Sequence, residues 1–513
     1  MNITIFPVIR NLQSAEPHNI LTRGLTLSNF REIFTGTMGM LISTRIGPWQ
    51  VSQCRLLPSH ENKLKPFDAL WFIKNFIRPS HGAGMERTLI RDLKGRKDGE
   101  EVTAYGWLQE SRKLKSVSFL ILRDHTGILQ VTLKPENIGN MDELATLNRE
   151  SVLAVRGQLK LNAGARSGVE ILATEVKILN RAESPLPLGV IDPVEADFDT
   201  RLNNRFIDTR KPDKNLIFRV ESSLLWGIRK YIMSQGFVEV HTPKIVAAAT
   251  EGGADLFRVQ YFEKNAFLNQ SPQLYKEMLM SGGLNRVFEV GPAFRAEEHN
   301  TVRHLNEFTS IDIEMSFADH NDAMSMLENA VRSGIREVIE VNGAELREKG
   351  KELQLPEVPF PRITYRECIT YLASKGIEAK FGEDFSPDHL REIGKMFKDF
   401  YFITEWPSSV RAFYTMPKPG DEEVTNSYDL QYGEKEITSG AQRVHDPEML
   451  EKRFRQKGLD PSAFEFYIRA FRYGMPPHAG WGLGLERLLM ILLDLPNIRE
   501  ATLFPRDRTR IVP

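Results

Sequence analysis

The sequence predicts a small all-β barrel followed by a larger α+β domain, an antiparallel sheet wrapped by helices. Three observations lead to that fold class. Five short runs of strand-forming residues crowd between residues 101 and 175. Beyond residue 213, strands and helices mix without a regular βαβ beat, which argues against a parallel doubly wound sheet. No Rossmann or P-loop glycine pattern occurs, so any nucleotide must be held by another device.

Composition sets the frame. The chain's 513 residues allow two or three domains, and 41% apolar with 26% charged content is ordinary for a globular protein. A net charge of -1 announces no nucleic-acid partner, although a large acidic RNA needs only a local basic stripe. Two distant cysteines, Cys54 and Cys368, exclude a disulfide framework and a cysteine zinc site. No apolar run approaches the length of a membrane span, so a cytoplasmic enzyme with no membrane partner is the default.

The elements follow in order. Residues 1–84 carry nine Lys or Arg against four Asp or Glu and little sustained periodicity. They read as an extension outside the working domains. A translation start placed upstream of a true first residue at Met85 is the leading reading, with a basic nucleic-acid-binding arm or a targeting sequence as rivals. Residues 85–180 hold the strands, at 101–108, 119–124, 127–133, 151–157 and 169–175, with a turn at 124–127. Five short strands suit a small closed barrel, and the OB-fold fits, although another small β domain is possible on pattern alone. Residues 181–212, marked by Pro185, Pro187 and several acids, read as a linker or hinge. The domain from 213 to 513 opens with a helix over 216–234, whose apolar residues recur at helical spacing, and a strand over 237–240 ended before Pro243.

The richest chemistry lies at 294–308, where two arginines, two histidines and three glutamates share fifteen residues. The next segment, Ile311-Asp312-Ile313-Glu314-Met315, alternates apolar and acidic, so Asp312 and Glu314 face one side of a strand. A charged hairpin opening onto acidic strand positions suits a site that holds a polyphosphate and an amine together. A second run, 480–489, crowds Gly480, Gly482 and Gly484 into what reads as a turn before a helix that starts with Glu486 and Arg487. On their own, those glycines fit an ordinary tight turn equally well.

Together the two runs resemble motifs 2 and 3 of the class II aminoacyl-tRNA synthetases, and the first is most similar to the aspartyl branch of archaeal and eukaryotic type. The resemblance covers residues 86–513. It implies an OB-fold anticodon-binding domain ahead of a class II catalytic domain. It also implies ATP as a substrate, Mg²⁺ as the ion, L-aspartate as the amino acid and tRNA-Asp as the acceptor. The helix 214–234 with the strand ending at Pro243 looks like motif 1, which in the family forms a homodimer.

What the resemblance implies for single residues can be weighed against their chemistry. Arg295 is placed on a phosphate oxygen and the substrate carboxylate, a task suited to a rigid guanidinium fork. Glu297 is placed on the adenine amino group, Arg303 and His304 on the ATP phosphates or the tRNA end, and Gly484 and Arg487 on the nucleotide. Glu436 and Ser439 are placed on Mg²⁺ bridging the phosphates, with Glu314 near it; a lone Glu and Ser would otherwise read as a solvated turn. Lys276 and Arg443 are expected to grip the aspartate β-carboxylate. Ser271 and Gln273 are expected at the α-carboxylate and its surroundings, and Glu251 with Asp312 at the ammonium. In the barrel, Phe119 and Gln130 stand where the family stacks and reads anticodon bases, here GUC.

Two positions depart from the pattern. Strict archaeal-type relatives carry tryptophan where this chain has Gln109, and lysine where it has Arg166. Gln109 follows Trp107 by two residues, which would put both on one face of the first strand. The departures lean toward relaxed specificity, with tRNA-Asn charged as well. An asparaginyl enzyme, a tRNA-independent amino-acid-activating paralogue and a non-enzymatic tRNA-binding protein are the competing readings. Lys276 and the full motif set speak against them.

Overall fold

The computed structural model describes residues 87–513 apart from 115–116, 166, 192–195, 248–255 and 299–300. The extension 1–84, Glu251 and Arg166 therefore lie outside the described residues.

Five strands form the first part: β1 (Glu101–Lys113), β2 (Ser118–Asp124), β3 (Gly127–Leu133), β4 (Val152–Leu161) and β5 (Val169–Asn180). They close into a barrel in the order β1-β2-β3-β5-β4. Every second residue points inward, so Leu120, Leu122, Leu129, Val131, Leu153, Val155 and Ile171 are fully buried. The turn between β2 and β3 is set by Asp124, whose Oδ1 accepts from the backbone N–H of Thr126 and Gly127 at 2.6 and 3.0 Å. Strands β1, β4 and β5 run several residues further than apolar patterning indicates. Barrel closure pairs their polar ends, and apolar spacing carries no signal there.

The stretch after the barrel reads as a linker but is locked in place. It carries short helices at Phe198–Asn203 and Arg205–Asp208. Arg205 and Asp208 are fully buried and pair at 2.9 Å, and Arg201 reaches Glu500 at 2.7 Å. Breaking one partner of such a pair costs about 3–5 kcal/mol. Arg210 extends the ties to the barrel, 3.1 Å from Glu150 and stacked over the Trp107 ring.

The α+β part begins with α1 (Pro212–Ser234), whose proline sits in the first turn, where a missing N–H costs nothing. Its buried face, Leu216, Val220, Leu224, Ile228 and Ile232, packs on the long helix α3 (His320–Glu348). Helix α2 (Gln273–Ser281) lies between them in sequence. The helices cover an eight-stranded sheet. Its strands in chain order are β6 (Val238–Glu239), β7 (Arg286–Phe294), β8 (Glu307–Ser316), β9 (Arg362–Thr364), β10 (Phe400–Thr404), β11 (Ser427–Tyr432), β12 (Lys435–Gln442) and β13 (His478–Gly484). Their spatial order is β9-β10-β11-β12-β13-β8-β7-β6, antiparallel through the middle with one parallel pair at each edge. The strand expected at 237–240 shrinks to two residues, because β6 pairs only with the start of β7. Two later helices complete the site, α4 (Glu465–Arg472) and α5 (Leu485–Leu492). Among the described residues, no helix is long and apolar enough to cross a membrane.

Candidate active site

The site is built on β8. Asp312 and Glu314 alternate along it, and both are buried, at 3% and 0% exposure. The neighbouring β13 places Gly482 opposite Asp312 and Gly480 opposite Glu314. A Cβ on Gly480 would lie 2.2 Å from the Ile313 carbonyl oxygen and 2.4 Å from Glu314 Oε2. The glycine run is thus a strand, not the turn its spacing suggests. At Gly480 the missing side chain makes room for a neighbouring carboxylate. The helix does start at Leu485, with Arg487 in its first turn.

Two buried cations meet these acids. Lys276, on α2, places Nζ 2.9 Å from Asp312 Oδ1, 3.1 Å from the Trp481 carbonyl oxygen and 3.5 Å from Glu314 Oε2. Arg443 donates from Nε to Glu314 Oε1 at 3.1 Å. Burial lowers the proton affinity of Arg443, but Glu314 and Glu277 more than restore it, so the guanidinium stays charged. Glu314, expected near the metal, is instead wholly buried and committed to Arg443 and Lys276. Lys276 likewise sits beneath the floor, whereas Arg443 lines the cavity above it.

That cavity has a volume of about 460 Å³. At one end Ser271, Gln273, Asp312 and Arg443 converge. Arg295, Glu297, Arg303 and His304 line it from the β7–β8 hairpin, and Gly484 and Arg487 from β13 and α5. The Arg295 guanidinium stacks over Phe308, 5.3 Å from the ring centre. His304 bonds through Nδ1 to Thr301 Oγ1 at 2.6 Å, and its Nε2 stands 3.8 Å from Glu297. Burial lowers its pKa; Glu297 opposes this, and Arg487, Arg295 and Arg303 add to it. Arg303 forms an ion pair with Glu434, which Arg391 also holds.

Glu436 and Ser439 line the remaining wall from β12. Sequence reasoning missed two residues beside them. Asp429, on β11 opposite Ser439, is 2% exposed. Arg411 donates to Asp429 Oδ2 at 2.6 Å and to Ser439 Oγ at 3.0 Å. Burial pushes the Asp429 carboxyl up to about 7, with Arg411 opposing and Glu436 adding to the rise. Its Oδ1 has no partner. An unsatisfied carboxylate oxygen beside Glu436 and Ser439 fits a hard divalent cation. Among the described residues no three His, Cys, Asp or Glu side chains form a ready-made metal cage, so such an ion would draw further oxygens from a ligand. Asp429 sits in an alternating stretch that could have been noticed, but its meeting with Ser439 depends on strand pairing. Arg411 carries no periodic signal at all.

The barrel residues lie apart from this cavity. Phe119 and Gln130 are half-buried and occupy non-core positions on β2 and β3. The Gln130 amide donates to Glu170 at 2.9 Å, and Glu170 also accepts from Thr132 at 2.6 Å. Gln109 is the extra residue of a bulge between Leu108 and Glu110, so the alternation that would align it with Trp107 is interrupted. Its Oε1 is buried without a partner.

Known proteins extend these observations. The pattern for tRNA synthetases class II (D, K and N) matches residues 197–508, and that for an OB-fold nucleic acid binding domain matches residues 102–179. The chain is 64% identical over 429 residues to an aspartate–tRNA(Asp) ligase of Thermoplasma acidophilum, covering 84% of this chain and 100% of the relative. It is 50% identical over 429 residues to an aspartate–tRNA(Asp/Asn) ligase of Archaeoglobus fulgidus, covering 83% and 100%. The crystal structure of asparaginyl-tRNA synthetase from Pyrococcus horikoshii complexed with asparaginyl-adenylate matches with a TM-score of 0.79 at 33% identity, over 84% of this chain and 100% of that one. Barrel, sheet, motif residues and relatives agree: the chain belongs to the class II aminoacyl-tRNA synthetases, in the archaeal type of the aspartyl branch.

Proposed function

We propose a division of labour among the cavity residues for the branch's reaction, ATP-dependent activation of L-aspartate and its transfer to tRNA-Asp. The observation that carries it is the convergence of Arg443, Arg295 and Arg487 with Asp312 and Glu436 around one cavity. The aspartate β-carboxylate meets Arg443, with Lys276 adding positive charge from beneath. An asparagine amide gains nothing from those charges, which is the physical basis for choosing the acid. Asp312 and, outside the described residues, Glu251 receive the ammonium. Ser271 borders the substrate's α-carboxylate.

Arg295 holds that α-carboxylate and the α-phosphate so that the attacking oxygen lies in line with the leaving pyrophosphate. Glu297 meets the adenine amino group, while Gly484 and Arg487 border the nucleotide. His304 and Arg303 stand at the triphosphate; Arg303 must leave Glu434 to reach it. Glu436 and Ser439, backed by Asp429, would hold Mg²⁺, which when bound supplies charge neutralisation and a template for the triphosphate. Arg411 occupies that carboxylate pocket now and would share it. Glu314 keeps Lys276 and Arg443 in place and is not assigned to the metal.

Phe119 and Gln130 meet anticodon bases, and the protein works in the cytoplasm as a homodimer. Support for the dimer comes from the motif 1 region, where Trp226, Met233, Val238 and Ile245 are 47–57% exposed, a large apolar area for a monomer to leave in water. Aspartate-dependent ATP–pyrophosphate exchange followed by charging of purified tRNA-Asp tests the reading. Exchange without charging would point to a tRNA-independent paralogue, and asparagine-dependent exchange to an asparaginyl enzyme.

A second reading, that tRNA-Asn is charged too, is favoured by Gln109, whose unpartnered Oε1 can accept from either pyrimidine at the third anticodon base once the side chain turns outward from its buried position. The name of the 64%-identical relative, for tRNA(Asp) alone, weighs against it. One base contact is worth only about 1–3 kcal/mol. The test is aspartylation of both tRNAs by the purified enzyme. Comparable rates support the reading, and a preference above about 100-fold for tRNA-Asp, about 2.7 kcal/mol, ends it.

A further inference from the structure

A closed hydrogen-bond network lies behind the amino-acid end of the cavity, and none of the roles above uses it. Its centre is Glu277, on α2, one turn beyond Gln273. Glu277, His478 and Tyr467 are all 0% exposed, and Gln273 is 5% exposed. The Glu277 carboxylate accepts from the Gln273 amide through Oε1 at 2.5 Å. Through Oε2 it accepts from the Tyr467 hydroxyl at 2.8 Å and faces His478 Nε2 at 3.1 Å. The other imidazole nitrogen, Nδ1, faces the Pro476 carbonyl oxygen at 2.8 Å. A carbonyl oxygen only accepts, and the Glu277 carboxylate already takes two donors, so the imidazole bridges two accepting groups. The centre is therefore a buried contact between an imidazole and a carboxylate. Burial pushes the Glu277 carboxyl up, but His478, Arg443 and the Gln273 amide outweigh it and hold the group below the usual carboxylate range.

The pair has a consequence for the substrate pocket. A carboxylate accepts hydrogen bonds and cannot give them, so it fixes which end of the Gln273 amide points its way. Nε2 donates one of its two hydrogens to Glu277, which orients the amide and turns its carbonyl oxygen Oε1 to the side away from that carboxylate, on a residue that lines the cavity. An amide oxygen repels a carboxylate and receives an ammonium. His478 adds a second tie, because its own carbonyl oxygen accepts from the backbone N–H of Arg443 at 2.9 Å. One residue thus anchors both the partner of Gln273 and the segment that carries the carboxylate-reading arginine.

We infer that Glu277 and His478 are positioning residues that lock Gln273 with its carbonyl oxygen toward the substrate, so that Gln273 reads the aspartate ammonium and not its α-carboxylate. This narrows the expectation for Gln273 and rests on the aspartate reading of the cavity. Neither residue touches substrate: Glu277 acts through Gln273, and His478 through Glu277 and the backbone that carries Arg443. The charged and titratable groups facing Glu277 are His478 from β13, Tyr467 from α4 and Arg443 beyond β12.

The test uses the full chain and the exchange assay. Wild-type activity with aspartate must be present first; its absence would fail the function reading and not this one. Glu277→Asp keeps the charge opposite His478 but withdraws the carboxylate from Gln273 by one methylene. The expected result is an aspartate KM raised about ten-fold, the size of one lost charge-assisted hydrogen bond, with ATP KM and kcat within about two-fold. Tyr467→Phe removes a donor from Glu277 without touching Gln273, and should leave all three constants within about two-fold. Succinate, which is aspartate without its ammonium, should inhibit wild type and Glu277→Asp equally. In a Gln273→Ala background, Glu277→Asp should have no further effect on aspartate KM. An equal rise in aspartate and ATP KM, weaker succinate inhibition in the variant, or an undiminished Glu277→Asp effect without Gln273 would each overturn the inference. If Glu277→Asp does not fold, His478→Gln, which retains a neutral donor for Glu277, is read in the same assays against the same outcomes.

Discussion

The candidate catalytic cavity and the barrel's outer face hold their side chains under opposite conditions. In the cavity, Lys276, Arg443, Asp312 and Glu314 are at most 4% exposed and already paired with one another. On the barrel, Phe119 and Gln130 are half-buried, and Gln130 is held by a single neutral-to-charged bond to Glu170. Buried charges are oriented before the substrate arrives, which favours chemistry; half-exposed polar and aromatic groups adapt to unstacked bases, which favours reading. Damage to these buried, pre-paired groups should therefore be large and coupled to stability, and damage to the barrel face small and confined to tRNA charging.

The sharpest break of that contrast is at the proposed ion site. Glu436→Gln should abolish ATP–pyrophosphate exchange, a loss of about a thousand-fold or more at any practical Mg²⁺ concentration, with little change in melting temperature. Near-normal exchange would remove the assignment. Next comes Lys276→Met, which leaves Asp312 with an uncompensated buried charge. We expect about 3–5 kcal/mol of lost stability, read by denaturant unfolding, together with an aspartate-activation defect larger than any ATP-binding defect. A stable variant with the same activation defect would show that Lys276 is not part of the pre-paired array.

The pH dependence is expected to be of intermediate size. Asp429 has its carboxyl pushed up to about 7 from 3.8, with burial the main cause. Glu486 and Glu221 are each pushed up to about 7, again chiefly by burial. A raised acid pKa means that the folded state binds more protons than the unfolded chain between about pH 4 and 7. The contribution of these three groups therefore falls as pH rises across that window. Ion binding needs the carboxylate, so exchange should rise through pH 7 while that contribution to metal-free stability falls. Asp429→Asn should flatten part of the stability slope, as measured by melting temperature from pH 5 to 8 without Mg²⁺. A slope unchanged in that variant would contradict the assignment.

The smallest effect belongs to the barrel. Gln130→Ala should weaken charging of tRNA-Asp by about ten-fold, one polar base contact, and leave exchange unchanged. Equal losses in both assays would erase the contrast between the two regions.

The same contrast explains what the sequence discloses. Strand alternation placed Asp312 and Glu314 on one face, and the run around Arg295 marked the cavity wall, because both signals are local. The reason for Gly480 was misread, since the carboxylate it accommodates comes from a strand more than 160 residues away and only the β8–β13 register reveals it. Arg411, Glu277 and His478 carry no local signal for the same reason, and Asp429 shows only its alternation: each matters through a partner distant in sequence. The linker's prolines and acids resembled a free hinge because its buried ion pairs use charged residues, which composition reads as exposed. At Gln109 an alternation argument failed at a bulge, a feature that period-two patterning does not contain.

The most direct test of the central claim is amino-acid-dependent exchange by the purified protein with aspartate and asparagine in parallel, followed by charging of tRNA-Asp. The cations beneath and beside the cavity predict exchange with aspartate, at least about a hundred-fold less with asparagine, and transfer of the activated aspartate to tRNA-Asp. Comparable exchange with asparagine, or none with aspartate, would contradict it.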